Sequence, residues 1–175
     1  MQTKEYFIQL TRNELAGTLR AIRAVPTESD SYAPDQKART ARKIVGHIIG
    51  HPLDLIEGIE TGVINHRNQS EFGTYEEAAT SFETDTNRLI EMVGALDEKT
   101  WDEKQADFAI GGMTLYAKSL RDHCYTLHAD TIHHRGQLST YYRSMGVRNP
   151  VIYGATAETA EDRAAAAKAA SAVAA

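Results

Sequence analysis

The stretch from about Leu115 to Met145 constrains the fold more than any other part of the chain. At about 100° per residue, Leu120, His123, Leu127, Asp130, His134, Leu138 and Tyr141 all fall within roughly 40° of one direction. A helix that turns this line inward buries a carboxylate and two imidazoles among leucines. Such groups are tolerated in an interior only when they are paired or bound to a metal. Gly146 stands where a left-handed residue would end the helix.

The remaining sequence supplies helices for this line to pack against. From Thr3 to Arg23, Ile8, Leu15, Leu19 and Ile22 recur at helical spacing, and Pro26 ends the segment. After the turn-forming TESDSYAPDQ, the segment ARTARKIVGHIIGHPLDLIEGIETG carries Ile44, Ile48, Leu55 and Ile59 on one face and closes at Gly62. Pro52 inside it removes the amide partner of the Ile48 carbonyl, which predicts a kink. Thr74 and Glu77 form a capping-box pair ahead of Tyr75, Ala78, Phe82, Leu89, Val93 and Leu96. Between Asp97 and Thr114, Phe108, Ile110 and a Gly pair fit either a short hairpin or an ordered loop. The expectation is an all-α domain over residues 1–154, with an Ala-rich tail over 155–175 that is frayed or partly helical. A chain of 175 residues buries a core without disulfides or a structural metal, so a bound metal would point to function rather than folding.

Charge and composition narrow the partners. The net charge of −5, with Lys and Arg spread along the chain, argues against nucleic acid as a partner. The apolar runs are too short for a membrane span, and the N-terminus lacks the pattern of a secretory signal. With Cys124 as the single cysteine, the expected compartment is a reducing cytoplasm. Nothing around Cys124 marks a nucleophile, so it reads as a buried structural thiol. Tyr116, Tyr125, Tyr141 and Tyr142 read as packing residues of the last helix.

Asp130 and His134 are four residues apart, so on a helix they point the same way and can close on one ion. His47 offers a third ligand from another helix, and His51 and Asp54 share its face as candidates for a general base or an outer hydrogen-bond partner. His123 is a further candidate of that kind. His128 rotates away toward the surface, and His66 and His133 read as non-ligands. The same spacing also fits a hydrogen-bonded Asp130–His134 pair that satisfies two buried polar groups and does nothing else.

The run HADTIHHRGQLSTYYRSMGVRNPVIYG closely resembles the last helix of the DinB/YfiT-like family, whose hallmark there is a His, three residues, then His-Arg-Gly-Gln. ARKIVGHIIGH resembles that family's second helix, where a His after an apolar pair is the first ligand. The resemblance runs from about Thr3 to Gly154. It implies an up-down-down-up four-helix bundle, a three-histidine site for zinc, nickel or a similar divalent ion, and a homodimer. Residue by residue, His47 and His134 match the first and last ligands, and Asp130 stands where the family has His. The carboxylate would give a two-His-one-carboxylate set suited to Fe(II) or Mn(II) as well as zinc. Arg135 and Gln137 would anchor the helix or its ligands, and Gly136 would allow close approach of another backbone.

Three functions compete, the first implied by the resemblance and the second by the carboxylate at position 130. The first is a metal-dependent enzyme on a small molecule, of the S-transferase or isomerase type that uses a low-molecular-weight thiol, or a hydrolase. The second is an Fe(II) enzyme that uses oxygen. The third is a stress-related dimeric binding protein whose metal site has lapsed.

Overall fold

The polar residues singled out above sit in a layer between two apolar clusters, and the helices that carry them run through all three. The computed structural model describes residues 3–173. In chain order these are α1 (Thr3–Arg23), α2 (Ala41–Thr61), β1 (Val63–Asn65), α3 (Tyr75–Ala95), α4 (Glu98–Glu103), β2 (Gln105–Ile110), β3 (Met113–Ser119), α5 (Leu120–Tyr141) and α6 (Ala157–Val173). The molecule is mostly helical with a small sheet. The α1 helix packs against α3 and α5, and α2 packs against α3 and α5. Among the described residues no helix is long and apolar enough to cross a membrane.

Local chemistry sets the helix ends. Thr40 accepts from the Lys43 amide to start α2, and Gly62, at φ 79°, ends it in the left-handed conformation that glycine adopts without strain. Pro52 lies inside α2 without ending it. The capping box of Thr74 and Glu77 is fully formed at the start of α3. Ser119 accepts from the Asp122 amide, so α5 begins at Leu120 rather than at Leu115.

The expectation of an all-α chain is therefore corrected. Met113–Ser119 forms β3, antiparallel to β2, with Gln105 opposite Ser119 and Ile110 opposite Met113. Gly111 and Gly112, at φ 59° and 81°, make the two-residue turn, which requires positive φ at both positions. The segment is thus a hairpin, and β1 adds a third strand that the sequence pattern does not mark. It pairs parallel to β2, with Ile64 beside Phe108. Tyr116 consequently belongs to β3 and not to the last helix. The short α4 buries Trp101.

One apolar cluster contains Ile22, Ile44, Ile48, Phe82, Leu138 and Tyr142. The other contains Phe7, Leu55, Ile64, Leu89, Trp101 and Leu127. Each buried Ile, Leu or Phe contributes about 1.5–3 kcal/mol relative to exposure. On α2 the first cluster ends near Ile49 and the second begins at Leu55, while on α5 they are bounded by Leu138 and Leu127. His47, His51 and Asp54 of α2 and Asp130, Thr131 and His134 of α5 fill the gap. Two rigid apolar blocks thus hold the polar layer in register.

Candidate metal centre

Three imidazoles converge on one carboxylate oxygen. Asp130 Oδ2 lies 3.3 Å from His47 Nε2, 3.2 Å from His51 Nε2 and 3.4 Å from His134 Nε2. The spacing of four residues on each helix does this: His47 and His51 on α2 face Asp130 and His134 on α5.

The far side of each ring fixes its tautomer. His47 Nδ1 faces the Arg67 carbonyl at 3.3 Å, and His134 Nδ1 faces the Gln137 side-chain oxygen at 2.7 Å. Both partners accept, so both Nδ1 atoms carry the hydrogen. Thr131 donates its hydroxyl hydrogen to the Leu127 carbonyl at 3.0 Å and so accepts from His51 Nδ1 at 2.8 Å. In a neutral imidazole with hydrogen on Nδ1, Nε2 is a bare lone pair. Three such lone pairs therefore surround a carboxylate oxygen, and the buried His51 Nε2 has no aligned hydrogen-bond partner. Acceptors facing acceptors repel unless positive charge lies among them.

Charge in the cluster follows from its surroundings. The contacts with His134, then His47 and His51, hold the Asp130 carboxyl well below the usual carboxylate range wherever a ring hydrogen or positive charge faces it. Burial pushes the His51 pKa down, toward the neutral ring. Arg39 already brings one cation to the cluster, its Nη1 donating to His134 Nε2 at 3.1 Å. An ionised carboxylate, oriented imidazoles and outer acceptors holding each ring are the features of a divalent-metal site. His47, Asp130 and His134 place one donor atom each within 4.8 Å of one another. The residues present fit a divalent cation.

Two histidines read differently in the structure than in the sequence. His66, taken as a non-ligand, joins His47 and His51 in a second group whose donor atoms are equally close. Its Nδ1 donates to Asp54 Oδ2 at 2.7 Å, which leaves Nε2 as the free nitrogen. No periodicity could have marked it, because it follows β1 and is positioned by its amide, which donates to the Ala109 carbonyl at 2.8 Å. His128, expected at the surface, is half-buried with its ring 5.9 Å from that of Phe7.

The base candidates separate as well. Asp54 is fully buried and bound to His66 and Arg67, so it positions other groups and does not face the cleft. His51 reaches Asp130 from within the core. His123 has its Nε2 2.9 Å from the Ala106 carbonyl and its ring stacked on Phe108, so it ties α5 to the sheet. Cys124 is buried, and burial pushes its thiol pKa up, away from nucleophilic use. Arg135 anchors α5 to Glu14 and Thr18 of α1. Gly136 is corrected, since a Cβ there would meet nothing within 4 Å.

An open cleft of about 590 Å³ leads to Asp130, His134, His47 and His66. Phe108, Ile110 and Tyr141 give its lining apolar surface, and Lys37 and Arg39 give it positive charge. This size suits a small organic molecule.

The model of the DinB family matches residues 1–166. A DinB-like protein from Bacillus subtilis, known from a crystal structure, is 21% identical, with a TM-score of 0.64 over 84% of this chain and 97% of that one. A DinB-like protein from Bacillus cereus is 19% identical, with a TM-score of 0.67 over 85% of this chain and 97% of that one. Likeness at these identities carries the fold. No curated protein matches the chain.

Proposed function

Because the chain belongs to the DinB family, we propose that it is a divalent-metal-dependent enzyme acting on a small molecule, with the ion held by His47, Asp130 and His134. The observation that carries this reading is the convergence of the His47 and His134 Nε2 atoms on Asp130 Oδ2. The buried His51 Nε2 stands within reach as a further donor. We read the four long helices as the family's up-down-down-up bundle, with residues 155–175 as an appendage to it, and the working form as a homodimer in the cytoplasm.

A bound divalent ion supplies a lowered pKa for a coordinated water or thiol and polarises a substrate carbonyl. The chain's own residues do the rest. Gln137, the Arg67 carbonyl and Thr131 keep the rings turned toward Asp130. His66, with Asp54 behind its Nδ1, is oriented as a general base on the cleft wall, in the way a carboxylate fixes an imidazole for proton transfer. Phe108, Ile110 and Tyr141 offer apolar contact to a substrate in the cleft. These features serve a thiol-dependent S-transferase or isomerase, or a hydrolase, acting on a small substrate.

The carboxylate at position 130 favours a second reading, an Fe(II) enzyme with two His and one carboxylate as ligands. Elemental mass spectrometry on protein purified without chelator separates the two. Near-stoichiometric zinc or nickel that is lost in His134→Ala supports the first reading, and iron retained only under anaerobic handling supports the second. Protein that carries no metal and takes up none of zinc, nickel, manganese or anaerobic Fe(II) sinks both.

A further inference from the structure

The cleft beside the cluster is cationic in a protein whose net charge is −5. Apart from Asp130 no carboxylate lines it, whereas Lys37 and Arg39 both do. The nearby acids Asp54 and Glu57 are taken by Arg67. Among the described residues neither Lys37 nor Arg39 forms an ion pair, although eleven other ion pairs there use a Lys or Arg side chain that is matched to Asp or Glu.

Arg39 has one side-chain partner, the lone pair of His134 Nε2 at 3.1 Å. Its backbone is fixed separately, since the Tyr141 hydroxyl donates to the Arg39 carbonyl at 3.1 Å. A guanidinium and a metal ion cannot share one lone pair, and two cations at that distance repel. Metal binding at His134 therefore frees the guanidinium while its backbone stays in place at the cleft wall. A free guanidinium there, next to Lys37, presents planar paired donors that match a carboxylate.

We infer that Arg39 is the substrate's anion-recognition residue, released for that role by metal binding, and that the substrate is a small molecule with a carboxylate on the side of the cleft lined by Arg39 and Lys37. This rests on the metal-dependent reading above and deepens it by naming the substrate class. It also gives an order to events. Without metal, Arg39 caps His134 and the anion site is closed; with metal, the same side chain opens it. Lys37, more exposed, adds attraction over distance rather than a fixed contact.

Calorimetric titrations on wild type, Arg39→Ala and Arg39→Lys, with zinc alone and then with succinate as the anion probe, test it. Arg39→Ala removes only the side chain, so the Tyr141 bond to the backbone persists and circular dichroism should match wild type. The expected result is zinc bound several-fold more tightly by Arg39→Ala, because the competing cation is gone. Zinc-loaded wild type should bind succinate on the order of tenfold more tightly than zinc-loaded Arg39→Ala, the size of one charge-assisted hydrogen bond. Arg39→Lys should lie between them, and metal-free wild type should bind succinate no better than Arg39→Ala does. Equal succinate affinity in the zinc-loaded wild type and Arg39→Ala, or in metal-free and zinc-loaded wild type, overturns the inference and leaves the metal reading standing. Failure of wild type to bind zinc overturns both.

Discussion

His134 and Arg135 are neighbours on α5, yet they enter two opposite kinds of polar cluster. Arg135 is almost fully buried, and its donors are matched: Glu14 and Thr18 of α1 and the Tyr153 hydroxyl all receive it. His134 faces Asp130, His47 and His51, where acceptors point at acceptors. The first cluster is complete without a ligand and holds helices together. The second leaves acceptors facing acceptors, which is why we propose a metal ion there. Burial alone does not distinguish structure from function in this fold; the balance of donors and acceptors does.

The largest expected effect breaks the complete cluster. Glu14→Ala leaves the Arg135 guanidinium buried without its carboxylate and should cost about 3 kcal/mol in chemical denaturation, with zinc affinity unchanged. The pH dependence has a definite sign. Burial raises the Glu14 pKa, but hydrogen bonds from Arg135 and Tyr153 and the Arg135 charge outweigh it, so the folded value lies below the ordinary 4.5. A depressed folded pKa means that the contribution is full above the unfolded value and fades as pH falls through the folded one. The stability gap between wild type and Glu14→Gln should therefore be widest near neutral pH and shrink in acid.

The next effect breaks the incomplete cluster. His47→Ala should weaken zinc binding by about 100-fold or more, since it removes a ligand and not merely an outer partner. Loss of stability in the metal-free protein comparable to that of Glu14→Ala would contradict the contrast. A smaller step sharpens it: Gln137→Ala frees the His134 ring to turn and should weaken zinc by about tenfold, with denaturation midpoints nearly unchanged. The smallest is Gly136→Ala on the same helix. Because a Cβ there meets nothing, the substitution should stabilise the protein by about 0.5–1 kcal/mol, and destabilisation would reveal a close contact at that position.

Much of this was legible in the sequence where the reason was local. The helical faces, the Thr74 capping box and the terminal glycines Gly62 and Gly146 all depend on residues within one or two turns. So does the pairing of Asp130 with His134, and the family resemblance added His47. The rest depends on partners far along the chain. The three residues of β1 are too few to show a period, and they are ordered by β2, more than forty positions later. Pairing with β2 also pulls Met113–Ser119 out of the last helix. His66 gains its place from Asp54 and Ala109, His123 its saturation from Ala106, and Arg39 its meaning from His134. Spacing put His123 and His134 on the same line, and only the groups opposite them tell the two apart.

The most direct test of that distinction is a long-range proton–nitrogen NMR spectrum of the histidine rings, recorded slightly above neutral pH as zinc is added. Before zinc, His47, His51 and His134 should each carry hydrogen on Nδ1. With one equivalent, the Nε2 resonances of His47 and His134 should move to metal-bound values while those of His123 and His128 stay in place. Hydrogen on Nε2 of these rings in the metal-free protein, or zinc shifts confined to the exposed His133, would contradict the account.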